Sequence, residues 1–166
     1  MRNIMLESRF GFISDSDKEF MIAFDSKMKA LGYDFGGSIG SGYCWGRFMI
    51  IYAKAGVKSR KVIARIYIRA DVIVLRLFFS NIDKHRAYIE NAPAHIKDVF
   101  TGAHGDCTHC KNDKNGVCKF RKSYTLGGRL SEKCNGLVFE FHQPDLSKLP
   151  DYMGLLFEFY RSKRPA

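Results

Sequence analysis

No stretch of this chain is apolar for the roughly 18 residues that a membrane-crossing helix needs, so no helical span is predicted. The opening Met1-Arg-Asn-Ile-Met-Leu-Glu-Ser8 is too short of apolar residues for a signal peptide. Glu7 falls where such a segment must be hydrophobic, so a cytoplasmic location is expected. His85, His95, His104, His109 and His142 form neither an H-x-x-x-H nor an H-E-x-x-H pattern, which removes the helical zinc-protease arrangement. No nucleophile elbow or Ser–His–Asp order is present, and the carboxylates are scattered instead of paired for acid–base work. A Lys/Arg-Gly-Phe-Gly-Phe run, the mark of one large RNA-binding family, is also missing. Repeats, low-complexity tracts and long linkers are absent too. The balance leans away from an enzyme, although active sites do assemble from distant residues.

What is present begins with charge. Lysine and arginine number 27 against 17 acids, a net charge of +10. Such an excess favours anionic partners: a small anionic ligand, an acidic protein partner or nucleic acid. A basic surface with no dedicated partner is the plain alternative. Between Cys44 and Ser80 the bases Arg47, Lys54, Lys58, Arg60, Lys61, Arg65, Arg69 and Arg76 face only Asp71. With 166 residues, one domain over residues 1–166 is the simplest organisation, carrying an insertion at about 101–136.

Ser16 and Glu19 have capping-box spacing, and Phe20, Phe24, Met28 and Leu31 recur with helical period before Gly32. Three segments rich in Ile, Val, Tyr and Phe read as strands: residues 47–53, 61–69 and 72–79. A helix is predicted from Asp83 to Glu90, and Pro93 restarts a shorter one to about Phe100. Strands follow at 120–126 and 137–142, with Gly127-Gly128 as the turn between them. Pro150 opens a last helix with the stripe Tyr152, Leu155, Leu156, Phe159 and Tyr160, and Arg161, Lys163 and Arg164 suit its C-terminal dipole. The fold class is therefore α+β: an antiparallel sheet of about five or six strands, helices packed on one face, and a cysteine-rich zinc-binding loop.

Cys107-Thr-His-Cys110 has the C-x2-C spacing at which two thiolates can turn onto one ion. Cys118 follows after seven residues and Cys134 after fifteen more, with Asp106, Asn112, Asp113, Asn115 and Gly116 as turn formers around them. A structural zinc held by Cys107, Cys110, Cys118 and Cys134 is expected, since four sulfurs leave no open position for water. His104 or His109 could replace one sulfur. Free thiols or a reversible disulfide are the remaining readings. Cys44, inside Gly42-Tyr-Cys-Trp-Gly46, has no neighbouring histidine to activate it and is expected to be a small buried residue.

The glycine-rich run Gly36-Gly-Ser-Ile-Gly-Ser-Gly42 could cradle a phosphate, yet it leads from helix to strand, the reverse of the nucleotide-binding order. A connection or lid is the default. In 61–69 the residues Val62, Ala64, Ile66 and Ile68 share one face, and Lys61, Arg65, Tyr67 and Arg69 the other. Arg65, Tyr67, Arg69 and Arg76 are thus the candidate ligand-binding residues, with Tyr52, Arg121, Glu140 and His142 joining according to register.

The run of hairpin strands from Lys54, then Ile82-Asp-Lys-His-Arg-Ala-Tyr-Ile-Glu90, a strand pair and the closing Leu155 to Pro165 resembles small bacterial domains of unknown function. That resemblance implies a curved antiparallel sheet backed by helices, and no activity. Three functions are carried forward. The first is a zinc-stapled binding module for a small anionic ligand or protein partner. The second is nucleic-acid binding through the same face and Lys111, Lys114, Lys119 and Lys122. The third is an enzyme using Cys44 or an open metal site.

Overall fold

The computed structural model describes residues 1–58, 61–134 and 138–161, so the roles assigned above to Arg60, Leu137, Lys163, Arg164 and Pro165 lie outside the described residues. In chain order the elements are α1 (Arg2–Met5), α2 (Asp15–Ala30), β1 (Tyr33–Asp34), β2 (Gly40–Ser41), β3 (Phe48–Lys54), β4 (Val62–Ile68), β5 (Ile73–Phe78), α3 (Arg86–Glu90), α4 (Ala94–Thr101), β6 (Arg121–Leu126), β7 (Arg129–Cys134), β8 (Val138–His142) and α5 (Leu149–Phe159). Short 3-10 turns at Ser8–Phe10, Tyr43–Trp45, Ile82–His85 and Leu146–Lys148 join them. The chain is α+β, and it divides into two compact units, Met1–Leu77 with Glu140–Ala166, and Phe78–Phe139.

In the first unit, α2 starts two residues earlier than its capping-box spacing predicts. Ser14, not Ser16, holds the extended N-cap conformation and accepts the Asp17 amide at 3.2 Å. Asp15 and Asp17 then lie in the first turn, where carboxylates favour the positive end of the helix dipole. Leu31 is the C-cap instead of a stripe residue, and Gly32 follows at φ +85°, the left-handed stop that glycine permits.

The main sheet runs β1-β3-β4-β5-β8, with β2 also beside β3. The β1–β3, β2–β3, β3–β4 and β4–β5 pairs are antiparallel. Register Ile50↔Ile66 and Ile66↔Leu75 puts Ile50, Tyr52, Ala64, Ile66, Ile68, Leu75 and Leu77 on one buried face. That face meets the helices through aromatic rings, Phe24 on Tyr52 at 5.3 Å and Phe141 on Tyr152 at 5.0 Å, and the two helices meet each other through Phe20 and Tyr152 at 6.1 Å. A bulge between Tyr52 and Ala53 shifts the register, so the alternation in β4 does not extend cleanly to Val62, which is only half-buried.

The second unit carries the largest departure from expectation. Gly127 (φ +56°) and Gly128 (φ +74°) do form a tight turn, but they lead from β6 into β7, not into residues 137–142. β7 was invisible to hydrophobic patterning because its fully inward position is Lys133. Phe100 and Phe139 stack at 4.2 Å and Phe79 lies 5.8 Å from Phe139, which gives this unit its own aromatic core. Asp83 accepts the Thr125 amide at 3.0 Å and Glu90 the Gly127 amide at 2.6 Å, so acids of the helical segment fix the hairpin.

Buried tyrosines make the fold sensitive to alkali. Burial pushes the Tyr152 hydroxyl up to about 12, and pushes Tyr52, Tyr124 and Tyr160 higher still, with Asp25 adding to the shift at Tyr52. Phenols whose folded values exceed the unfolded value of about 10 stabilise the fold fully below that pH. The contribution drains away as pH climbs through the folded values, because the unfolded state then binds fewer protons. The expected outcome is that part of the eight tyrosines ionise only together with loss of helical circular dichroism. Complete phenolate titration near pH 10 with the fold intact would contradict this.

Candidate functional site

The face of the main sheet opposite α2 and α5 holds the predicted ligand residues, but not as an open platform. Register sets Arg65 opposite Arg76 and Tyr67 opposite Val74. Tyr67 is fully buried because the indole of Trp45 stacks on it, with centroids 5.9 Å apart and planes at 24°. The Arg76 guanidinium lies 4.7 Å from the Tyr67 ring and 5.7 Å from the Trp45 ring. Its Nε donates to Glu140 Oε1 at 2.7 Å, and Nη2 donates to the same oxygen. These two side chains are only 13% and 8% exposed. Arg76 is therefore an internal charge with an internal counter-ion. Arg65 Nη1 donates to the Tyr67 hydroxyl at 3.4 Å. Glu140 and His142 do join this face, their side chains 3.6 Å apart, whereas Tyr52 faces the core and Arg121 belongs to the β6–β7 hairpin.

Arg69 differs from the other arginines. Its Nε donates to the Trp45 carbonyl at 3.0 Å, and it follows directly on Ile68, the last β4 residue paired with β3. The Arg47 amide donates to the Ile68 carbonyl at 2.8 Å, so Arg47 and Phe48 both lie against Ile68 and the ladder is irregular at this end, and the Arg47 guanidinium sits 4.6 Å from the Phe12 ring. Among the described residues neither Arg47 nor Arg69 forms an ion pair with an acid. Arg47 and Arg69 thus flank the base of the Trp45 turn, Arg47 next to Gly46 in the chain and Arg69 through its bond to the Trp45 carbonyl.

That turn is tightly specified. A Cβ on Gly42 would meet the Gly46 carbonyl oxygen at 2.3 Å, and one on Gly46 would meet Ile68 O at 2.8 Å. Both positions thus require glycine. Between them Tyr43 adopts φ +51° and is 78% exposed, and Trp45 is 40% exposed. Cys44 is exposed, contrary to the expected burial, because the 3-10 turn lifts it off the strand. The signal that could have found this site is the sole tryptophan between close-spaced glycines, followed at once by Arg47.

The cysteine loop belongs to the second unit. The Cys107 amide donates to Glu132 O at 2.9 Å and the Cys134 amide to Gly105 O at 2.8 Å, so residues 105–107 lie as a third strand against β7. Cys134 pairs with Arg121, whose amide donates to Cys118 O at 3.1 Å. The backbone thereby gathers Cys107, Cys118 and Cys134 at one end of the hairpin, and the His109 amide donates to Cys107 Sγ at 3.4 Å. The side chains follow another scheme. Arg121 donates to Asp113 and lies against Cys107, which raises the Arg121 value. His109 places Nδ1 2.7 Å from Asp113 and Nε2 2.9 Å from Glu132, and the His109 contact is the main cause holding the Asp113 carboxyl below its usual range. Among the described residues no three His, Cys, Asp or Glu side chains converge as metal ligands.

No known protein family, curated protein or solved structure matches this chain. The first unit offers a stacked indole and an arginine pair that has no acid partner among the described residues, an arrangement suited to a planar or anionic ligand. The second offers cysteines gathered at one end of a hairpin, residue types suited to soft-metal or redox chemistry, with Arg121 against Cys107. With both His109 nitrogens engaged by carboxylates, this residue is a poor substitute for a sulfur ligand.

Proposed function

We propose that this protein is a non-enzymatic binding module that takes an anionic ligand at the Trp45 turn, between Arg47 and Arg69. The observation that carries the reading is that Arg69 bonds the carbonyl of the part-exposed Trp45 and Arg47 follows that turn directly, with no ion pair to an acid at either arginine among the described residues. Arg65, Tyr67 and Arg76, named from the sequence, support the site from beneath: they hold Trp45 flat and keep the Glu140 charge away from it. Arg69 remains a contact residue, and Arg47 and Trp45 join it. Trp45 is the sole tryptophan, so intrinsic fluorescence reports on this site alone. Titration with inorganic tripolyphosphate at low salt is expected to change that fluorescence. Arg69→Ala is expected to weaken binding about tenfold, the loss of one charge-assisted hydrogen bond. A signal that no anion moves would sink the reading.

A second proposal concerns the cysteine loop. Cys107, Cys110, Cys118 and Cys134 would hold one structural zinc that staples the second unit, with all positions filled by sulfur and no catalytic role. The backbone gathering of three of the four cysteines supports it. The side chains as folded here do not form the cage, and Arg121 would have to withdraw from Cys107. Metal analysis of reduced, purified protein is expected to find one zinc per chain, lost in Cys110→Ser. Protein that is folded and metal-free under those conditions excludes the staple.

A further inference from the structure

Resting on the anion-binding reading of the Trp45 turn, we infer that the ligand is a single-stranded nucleic acid, with Tyr43 and Trp45 stacking on bases and Arg47 and Arg69 contacting the backbone phosphates. A small anion accounts for the arginines but not for Tyr43. A bulky aromatic residue rarely takes positive φ, and here it does so while 78% of its surface faces solvent. Neither burial nor, among the described residues, any ring contact holds it there. The conformation comes from the turn, clamped at Gly42 and Gly46, and its effect is to leave two aromatic residues, two apart in sequence, accessible to solvent at 78% and 40%.

Trp45 is backed by Tyr67 on one ring face. It is therefore a rigid platform whose remaining exposure suits a flat partner. Stacked aromatics beside arginines are how sequence-tolerant single-strand binders work, since each base has a π-face and each linkage a phosphate. A duplex hides its base faces, so it would engage only the arginines. An acidic peptide such as polyglutamate offers charge but no aromatic face to stack. Arg47 and Arg69 form no ion pair with an acid among the described residues, which suits phosphate contacts, although Arg69 shares a small pocket with Asp17 and Asp71.

The test compares four probes on the full chain by Trp45 fluorescence: single-stranded oligothymidylate, a duplex of equal length, tripolyphosphate and polyglutamate. Oligothymidylate is expected to bind tightest, with affinity falling steeply as salt rises. Tyr43→Ala is expected to weaken it about tenfold while leaving tripolyphosphate affinity unchanged, and Tyr43→Phe is expected to retain binding. Tyr43→Gly, which relieves the positive φ, guards against a folding artefact and should behave like the alanine variant. Equal affinity for oligothymidylate and tripolyphosphate, insensitive to position 43, overturns the nucleic-acid inference and leaves the anion site standing. Preference for the duplex or for polyglutamate also overturns it. Silence toward every probe removes both.

Discussion

Glu140→Gln is expected to destabilise the first unit by about 3 kcal/mol, the range found when one partner of a buried ion pair is removed. The pair is well enclosed, with Arg76 13% and Glu140 8% exposed, and Arg76 donates through two nitrogens to one carboxylate oxygen. Neutralising that carboxylate leaves a guanidinium inside the sheet face with a neutral amide oxygen and the Tyr67 and Trp45 rings against it, and no counter-charge among the described residues. Cation–π contact is worth roughly 1–2 kcal/mol at such a site and does not replace the lost charge. Urea unfolding followed by Trp45 emission measures the change, and the native spectrum should shift to the red as the stack loosens. A double variant, Arg76→Met with Glu140→Leu, is expected to recover most of the loss, because an apolar pair of similar volume needs no counter-ion. A loss below about 1 kcal/mol in the single variant would mean that the pair is as water-screened as a surface salt bridge, and the internal role of Arg76 would be wrong.

The same pair shows what the sequence could and could not reveal. Alternation in β4 correctly separated a core face of Ala64, Ile66 and Ile68 from a face with Arg65, Tyr67 and Arg69. It could not reveal that the second face is covered, because the cover comes from Trp45, more than twenty residues upstream, in a turn whose shape depends on where Gly42 and Gly46 meet other backbone. Local pattern reports which residues share a face. What lies over that face is a tertiary fact. Glu140 illustrates the same limit: it is an ordinary acid in a strand until register places it beside Arg76. Ser16 failed as a cap for a local reason, since Ser14 offers the same chemistry two residues earlier with acids already in the first turn. The cysteine spacing correctly marked a loop, and the backbone gathers most of it, yet spacing says nothing about Arg121 lying among the thiols.

β7 was missed because its inward residue is a lysine, and that lysine leads to the second large effect. Lys133 is 4% exposed, and its Nζ donates to Gly102 O at 2.6 Å, His104 O at 2.9 Å and Asp106 Oδ1 at 2.6 Å. Gly102 is the C-cap of α4, so the ammonium stands at the end of that helix, where orphan carbonyls and the helix dipole both favour a cation. All three donors are used, and the aliphatic stem fills an inward position of the hairpin. Lys133→Met keeps the stem and removes the donors. Two carbonyls are then left without this partner, at a cost of about 3 kcal/mol to the second unit. Amide exchange in α4 and in residues 102–107 is expected to accelerate roughly a hundredfold, as follows from that free energy if the segment opens with the unit. Lys133→Arg should not rescue, since a planar fork cannot aim at three acceptors arranged around a single ammonium. Exchange rates in Lys133→Met that match the unaltered protein would mean that these carbonyls find water as readily as the ammonium, and that the hairpin is held by its ladder and the Asp83 and Glu90 contacts alone.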